Sequence, residues 1–152
     1  MKTAKTLAVF LIAGGLLGIL ESVLKGVHFS QQNQTIRLIS SILSAALFAW
    51  GIPVGIGLWQ GTLAGFKWAK LLFALQVPVF SLVHVSYELS TFLSFRVMLG
   101  DTAHYVGGNI GSSSNIYLSS DPTGVVFGIN IVAVLALLYL MKASRFAPAK
   151  AH

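Results

Sequence analysis

"LLFALQVPVFSLVHVSYELSTFLSF", residues 71–95, runs for 25 positions with one acid, Glu88, and no lysine or arginine. A helix needs about 20 apolar residues to cross a bilayer, so this stretch is long enough. Backbone groups in lipid have no water to bond, which restricts spanning segments to helices and closed barrels. Taken as a continuous apolar run, the stretch reads as a helix. On that helix Ser81, His84, Glu88 and Thr91 would share an arc of roughly 80°. A charged group in a bilayer costs at least ~2.5 kcal/mol, so this stripe is expected to face protein or a wet cavity.

The rest of the chain fits the same class. It has 152 residues, 55% of them hydrophobic and only 9% charged, with a mean hydropathy of +0.80. Soluble domains carry about 25% charged residues, so too little charge is present to cover a water-facing surface. The expectation is an all-α membrane protein, one domain over residues 1–152. It would have four transmembrane helices, at about 7–27, 37–60, 68–96 and 123–142, and one longer outer loop, 97–122, between helices 3 and 4. The loop contains "AHYV" and "NIYLSS", which could pair as a hairpin across "GGNIGSSS" or stay irregular.

Charge sets the expected direction. Lys2, Lys5, Lys67, Lys70, Lys142, Arg145 and Lys150 would lie on one side of the four spans, and Lys25, Arg37 and Arg96 on the other. Basic residues are retained on the cytoplasmic side. Both termini are therefore expected in the cytoplasm, at a bacterial inner membrane. The first span follows a basic start as a signal peptide would, but no A-x-A site follows it, and it reads as a retained anchor. The net charge of +6 is spread without a basic cluster or interleaved aromatics, so no nucleic-acid partner is expected.

Counted along the four expected helices at ~1.5 Å per residue, Glu21, Ser44, His84, Glu88 and Asn130 come to similar depth in the outer half. With Ser81 and Thr91 they form an expected intramembrane polar layer. It reads first as a hydrogen-bonded core, with Glu21 beside Lys25 and Glu88 beside Arg96 or His84. A proton or solute pathway is the rival, because His–carboxylate chains line such routes. Gly14 and Gly18, Gly51 and Gly55, and Gly57 and Gly61 recur at four-residue spacing, which lets helices approach closely. Pro53 and Pro78 should kink their helices.

The reactive patterns are missing. The chain has no cysteine, no H-E-x-x-H, no G-x-S-x-G and no phosphate-binding glycine loop. No catalytic residue, metal site or cofactor is expected. The expected partners are the lipid bilayer and either other membrane subunits or further copies of the chain. Function is expected to be that of a non-catalytic subunit or accessory partner of a larger membrane complex; the alternative is a small oligomeric transporter or channel with its pathway along helix 3.

Overall fold

The structure, a computed structural model, describes residues 2–32, 34–82, 85–100, 105–118 and 125–145. Two long helices open it: α1 (Lys2–Gln31) and α2 (Thr35–Trp59). Both are long and apolar enough to span a membrane. They pack as an antiparallel hairpin, and the small residues of α1 take the contact. A Cβ on Gly18 would run into the Phe48 ring, and one on Gly15 would meet the Phe48 carbonyl oxygen at 2.8 Å. Pro53 sits inside α2 without ending it.

A tight turn follows. Gly61 adopts φ +72°, a left-handed conformation that suits glycine. Thr62 then caps α3 (Leu63–Gln76), its hydroxyl accepting from the Gly65 amide at 3.0 Å. Helix α3 has only 14 residues. Pro78 has no amide hydrogen to extend the helix, and the chain passes into strand β1 (Pro78–Leu82).

From here the four-helix expectation fails. The chain continues as β2 (Val85–Ser90), β3 (Leu93–Gly100), β4 (Tyr105–Ile110), β5 (Ser113–Leu118) and β6 (Val126–Asn130), then closes with the short helix α4 (Ile131–Ala143). All six strands form one antiparallel sheet in the order β4-β3-β6-β1-β2-β5. The protein is therefore not an all-α four-helix bundle, and residues 78–82, 85–90 and 93–96 are strand rather than the outer part of a third spanning helix. The segment 97–122 is not one outer loop, since it holds the end of β3 and all of β4 and β5. Nor do "AHYV" and "NIYLSS" form a hairpin with each other: β4 pairs with β3, and β5 with β2.

The cause lies in the side-chain period. "VSYELS" (85–90) and "LSFRVMLG" (93–100) place apolar residues at every second position, which is strand periodicity. Polar serines, Glu88 and Arg96 fall between them. The uniform hydropathy of the stretch conceals this alternation.

Helices and strands are arranged end to end. Helix α3 is about 21 Å long and runs into five residues of β1, about 17 Å. Strand β6 and α4 repeat the pattern in reverse. Each composite is about as long as α2, roughly 37 Å. One half of the protein is thus a helical cluster, with Leu7, Leu11, Leu58, Phe66, Phe73 and Leu140 in its core. In the other half the sheet lies alongside the remaining turns of α1 and α2.

Candidate functional site

Partners across an antiparallel ladder point to the same face, so the register sorts every strand residue. One face carries Val79, Ser81, Ser86, Glu88, Ser90, Ser94, Arg96 and Asn130. The other carries Phe80, Leu82, Val85, Tyr87, Leu89, Phe95, Leu99, Val106, Ile110, Phe127 and Ile129. Burial runs opposite to the habit of water-soluble sheets. Ser90, Ser94 and Asn130 are each 1% exposed, whereas Leu99 is 61%, Val106 62% and Ile110 80% exposed. The polar face is the inside of this sheet and much of the apolar face is its outside.

The inside is organised around an ion pair. Glu88 on β2 accepts from the Arg96 guanidinium on β3. Strands β1 and β6 lie between them in the sheet. Laid flat, three strand spacings of ~4.8 Å would separate the two by roughly 14 Å. Direct contact therefore requires the sheet to curl, with its polar face concave. Ser113 donates to the same Glu88 oxygen at 3.1 Å, and Ser81 and Ser86 share a hydrogen bond of 2.9 Å. Ser90 Oγ, Ser94 Oγ and Arg96 Nε are buried here without a partner.

At the base of the curl the chain crosses twice, through Thr91–Phe92 from β2 to β3 and through Gly111–Ser112 from β4 to β5. The crossings are tied together: the Gly111 amide donates to the Phe92 carbonyl at 2.7 Å. Buried Gln76, the last residue of α3, accepts from both the amide and the hydroxyl of Thr91, at 3.1 and 2.9 Å. Ser112 donates to the Gly14 carbonyl of α1 at 2.5 Å. Phe92 holds φ 66°, a costly conformation for a non-glycine residue, and its ring stacks on Phe10 at 4.9 Å. Asn130 ends β6 and caps α4, its side-chain oxygen receiving the amides of Ala133 and Phe95, both at 3.4 Å.

The expected polar layer is thus distributed among separate places. Glu88 is in the sheet interior with Arg96, and Ser81 is there with Ser86. Thr91 lies at the base with Gln76, and Asn130 lies at the start of α4. Glu21 pairs with Lys25 on α1 at 2.7 Å, and buried Ser44 lines a cleft between the α1–α2 hairpin and β5. His84 falls outside the described residues. The stripe of Ser81, Glu88 and Thr91 at helical spacing does not exist, because these residues belong to two strands and a crossing.

The glycines also divide. Gly18 and Gly55 face the partner helix closely, and Gly57 meets Gly65 of α3. Gly14 instead faces Thr91, Phe92 and Ser112 at the sheet base, while Gly51 has room and Gly61 serves the turn. Reading the sequence named Ser44 but missed Ser112, the other cleft serines and the partnership of Gln76 with Thr91. Strand periodicity in 78–100 would have revealed the inner face; nothing local marks Gln76 or Ser112.

The basic residues of one end gather near the helix termini. Lys5 lies over the Trp59 ring at 5.1 Å, Lys67 over Trp68 at 5.5 Å, and Lys70 donates to the Ser144 hydroxyl at 3.3 Å. Among the described residues no three His, Asp or Glu side chains are grouped to hold a metal ion. No family model matches the sequence, and neither a curated protein nor a solved structure was found to match it.

Proposed function

We propose that this is a small integral membrane protein serving as a non-catalytic subunit or accessory partner of a larger membrane assembly. The observation that carries the reading is the inverted sheet. A polar, ion-paired interior beneath an exposed apolar exterior is the pattern of β-structure in contact with lipid or with an apolar partner. The exposed sheet face accompanies exposed leucines and isoleucines on α1 and α2, among them Leu16, Leu20, Ile39 and Ile42. The polar side chains are largely engaged in holding the fold: Glu88 with Arg96, Gln76 with Thr91, Asn130 as a helix cap, Glu21 with Lys25.

Further support for membrane orientation comes from the basic end. Lys2, Lys5, Lys67, Lys70, Lys142 and Arg145 belong to the two ends of the described chain and to α3, which favours both termini in the cytoplasm, at a bacterial inner membrane. The rival, a transport pathway, needs a polar route through the helical half. There the core around Phe66, Ala69, Leu72 and Phe73 is apolar and buried, which weighs against it.

Purification of the full chain from its native membrane in mild detergent, followed by mass analysis of what accompanies it, tests the proposal. Foreign membrane subunits in fixed stoichiometry are the expected result. A homo-oligomer alone, conducting ions or solute after reconstitution, would overturn it.

A further inference from the structure

Between the outer ends of α1 and α2 and strand β5 lies a cleft of ≈ 250 Å³. Its polar wall comprises Lys25, Arg37 and the hydroxyls of Ser22, Ser40, Ser41 and Ser44. A second hollow of ≈ 410 Å³ adjoins it, sharing Ser40 and Ile116 with the first. The lining of this second hollow is mainly apolar: Ile36, Ile39 and Leu43 of α2 face Phe80, Val85 and Tyr87 of the sheet. A cationic, hydroxyl-rich chamber opening onto an apolar groove has the two-part chemistry of an amphiphile with an anionic head.

Three details point to an anion in the chamber. Ser22 is 3% exposed, and its hydroxyl has no hydrogen-bond partner, a costly state for a buried polar group. Lys25 Nζ carries three N–H donors, of which Glu21 takes one at 2.7 Å and the Ser114 carbonyl another at 3.1 Å, so one is left over. The first turn of α2, which supplies Arg37, has no side-chain cap and no acid, and a helix start in that condition favours negative charge. Lys25 and Arg37 bring cationic groups to the wall, the complement of an anionic head.

We propose that the protein holds one monoanionic phospholipid here, its phosphate among Lys25, Arg37 and Ser22 and an acyl chain along Ile39, Leu43 and Tyr87. The inference rests on the membrane reading above. It differs from general lipid contact in requiring one retained molecule of defined charge.

The test is native mass spectrometry of the full chain in detergent, stripped of lipid and titrated separately with phosphatidylglycerol, phosphatidylcholine and inorganic phosphate. One phosphatidylglycerol should be retained per chain, with phosphatidylcholine and free phosphate held much more weakly. Arg37→Gln removes a charge-assisted bond to the head and should weaken retention about tenfold. Leu43→Trp fills the groove and should do the same while leaving the headgroup residues intact. Both positions are exposed, so folding is preserved, and elution volume and circular dichroism verify it. Equal retention of the two lipids, undiminished retention by both variants, or tight binding of phosphate alone would overturn the proposal. Spin-label accessibility at Leu99 separates this failure from failure of the membrane reading: a lipid-exposed label with no retained phosphatidylglycerol sinks only the lipid site.

Discussion

Glu88 and Arg96 meet across the concave face of a sheet in which two other strands separate them. Both side chains are largely buried, at 13% and 14% exposure. Removing one partner leaves the other charge uncompensated in the interior, a loss of about 3–5 kcal/mol. Glu88→Leu should therefore destabilise the protein strongly in detergent unfolding. Glu88→Gln, which retains acceptor capacity for Arg96 and Ser113, should cost less. The double variant Glu88→Leu/Arg96→Met should recover much of the loss. A Glu88→Leu protein as stable as the parent would refute the role given to this pair.

The glycines of the helix hairpin should respond unequally to alanine. At Gly51 the nearest atom to an added Cβ would be the Leu11 carbonyl oxygen at 3.5 Å, an ordinary contact. Gly51→Ala should be neutral, or stabilising by up to about 1 kcal/mol through helix propensity. At Gly18 the same methyl would occupy the Phe48 ring position, so Gly18→Ala should lower the unfolding midpoint clearly. Equal effects at the two sites would contradict the packing.

A nitroxide attached at Leu99 or Phe127, on the exposed apolar face, should relax faster with oxygen than with a water-soluble nickel chelate in reconstituted bilayers. The chain has no native cysteine, so single labels need no prior substitutions. The reverse ranking at both positions would place the sheet in water and remove the main support for the proposed function.

Orientation is tested from intact cells. Gln32 lies at the α1–α2 turn and Lys67 at the opposite end on α3, both exposed. Gln32→Cys should react with an impermeant maleimide added outside, and Lys67→Cys should react only after the membrane is opened. Exposure of Lys67→Cys alone would invert the topology.

What the sequence made legible is tied to regular apolar helices. Lys2–Gln31 and Thr35–Trp59 are each long and apolar enough to span a membrane, and the Glu21–Lys25 pair follows from helical spacing alone. Residues 78–100 were misread because average hydropathy is blind to period. Leu89 and Ser90 are neighbours on opposite faces of one strand, yet both are 1% exposed, so burial gives no clean signal there either. The Glu88–Arg96 contact depends on sheet curvature, and Gln76–Thr91 on where α3 stops. Both are settled by packing between distant elements, which no local window records. The cleft is likewise formed by three elements brought together from residues 22 to 116.

Strand β6 occupies the middle of the sheet, yet it is the last of these six strands to be synthesised. Strands β1, β2 and β5 form one ribbon and β3 and β4 another, and among the described residues β6 alone hydrogen-bonds to both. The α1–α2 hairpin can form early, since its contacts are local. The sheet cannot close until residues 126–130 emerge, and until then the ribbon edges beside β1 and β3 have unpaired backbone groups. Biogenesis should therefore pass through a long-lived stage in which a formed helical hairpin carries an unfinished, adhesive C-terminal half. Truncation before β6 would make that stage permanent.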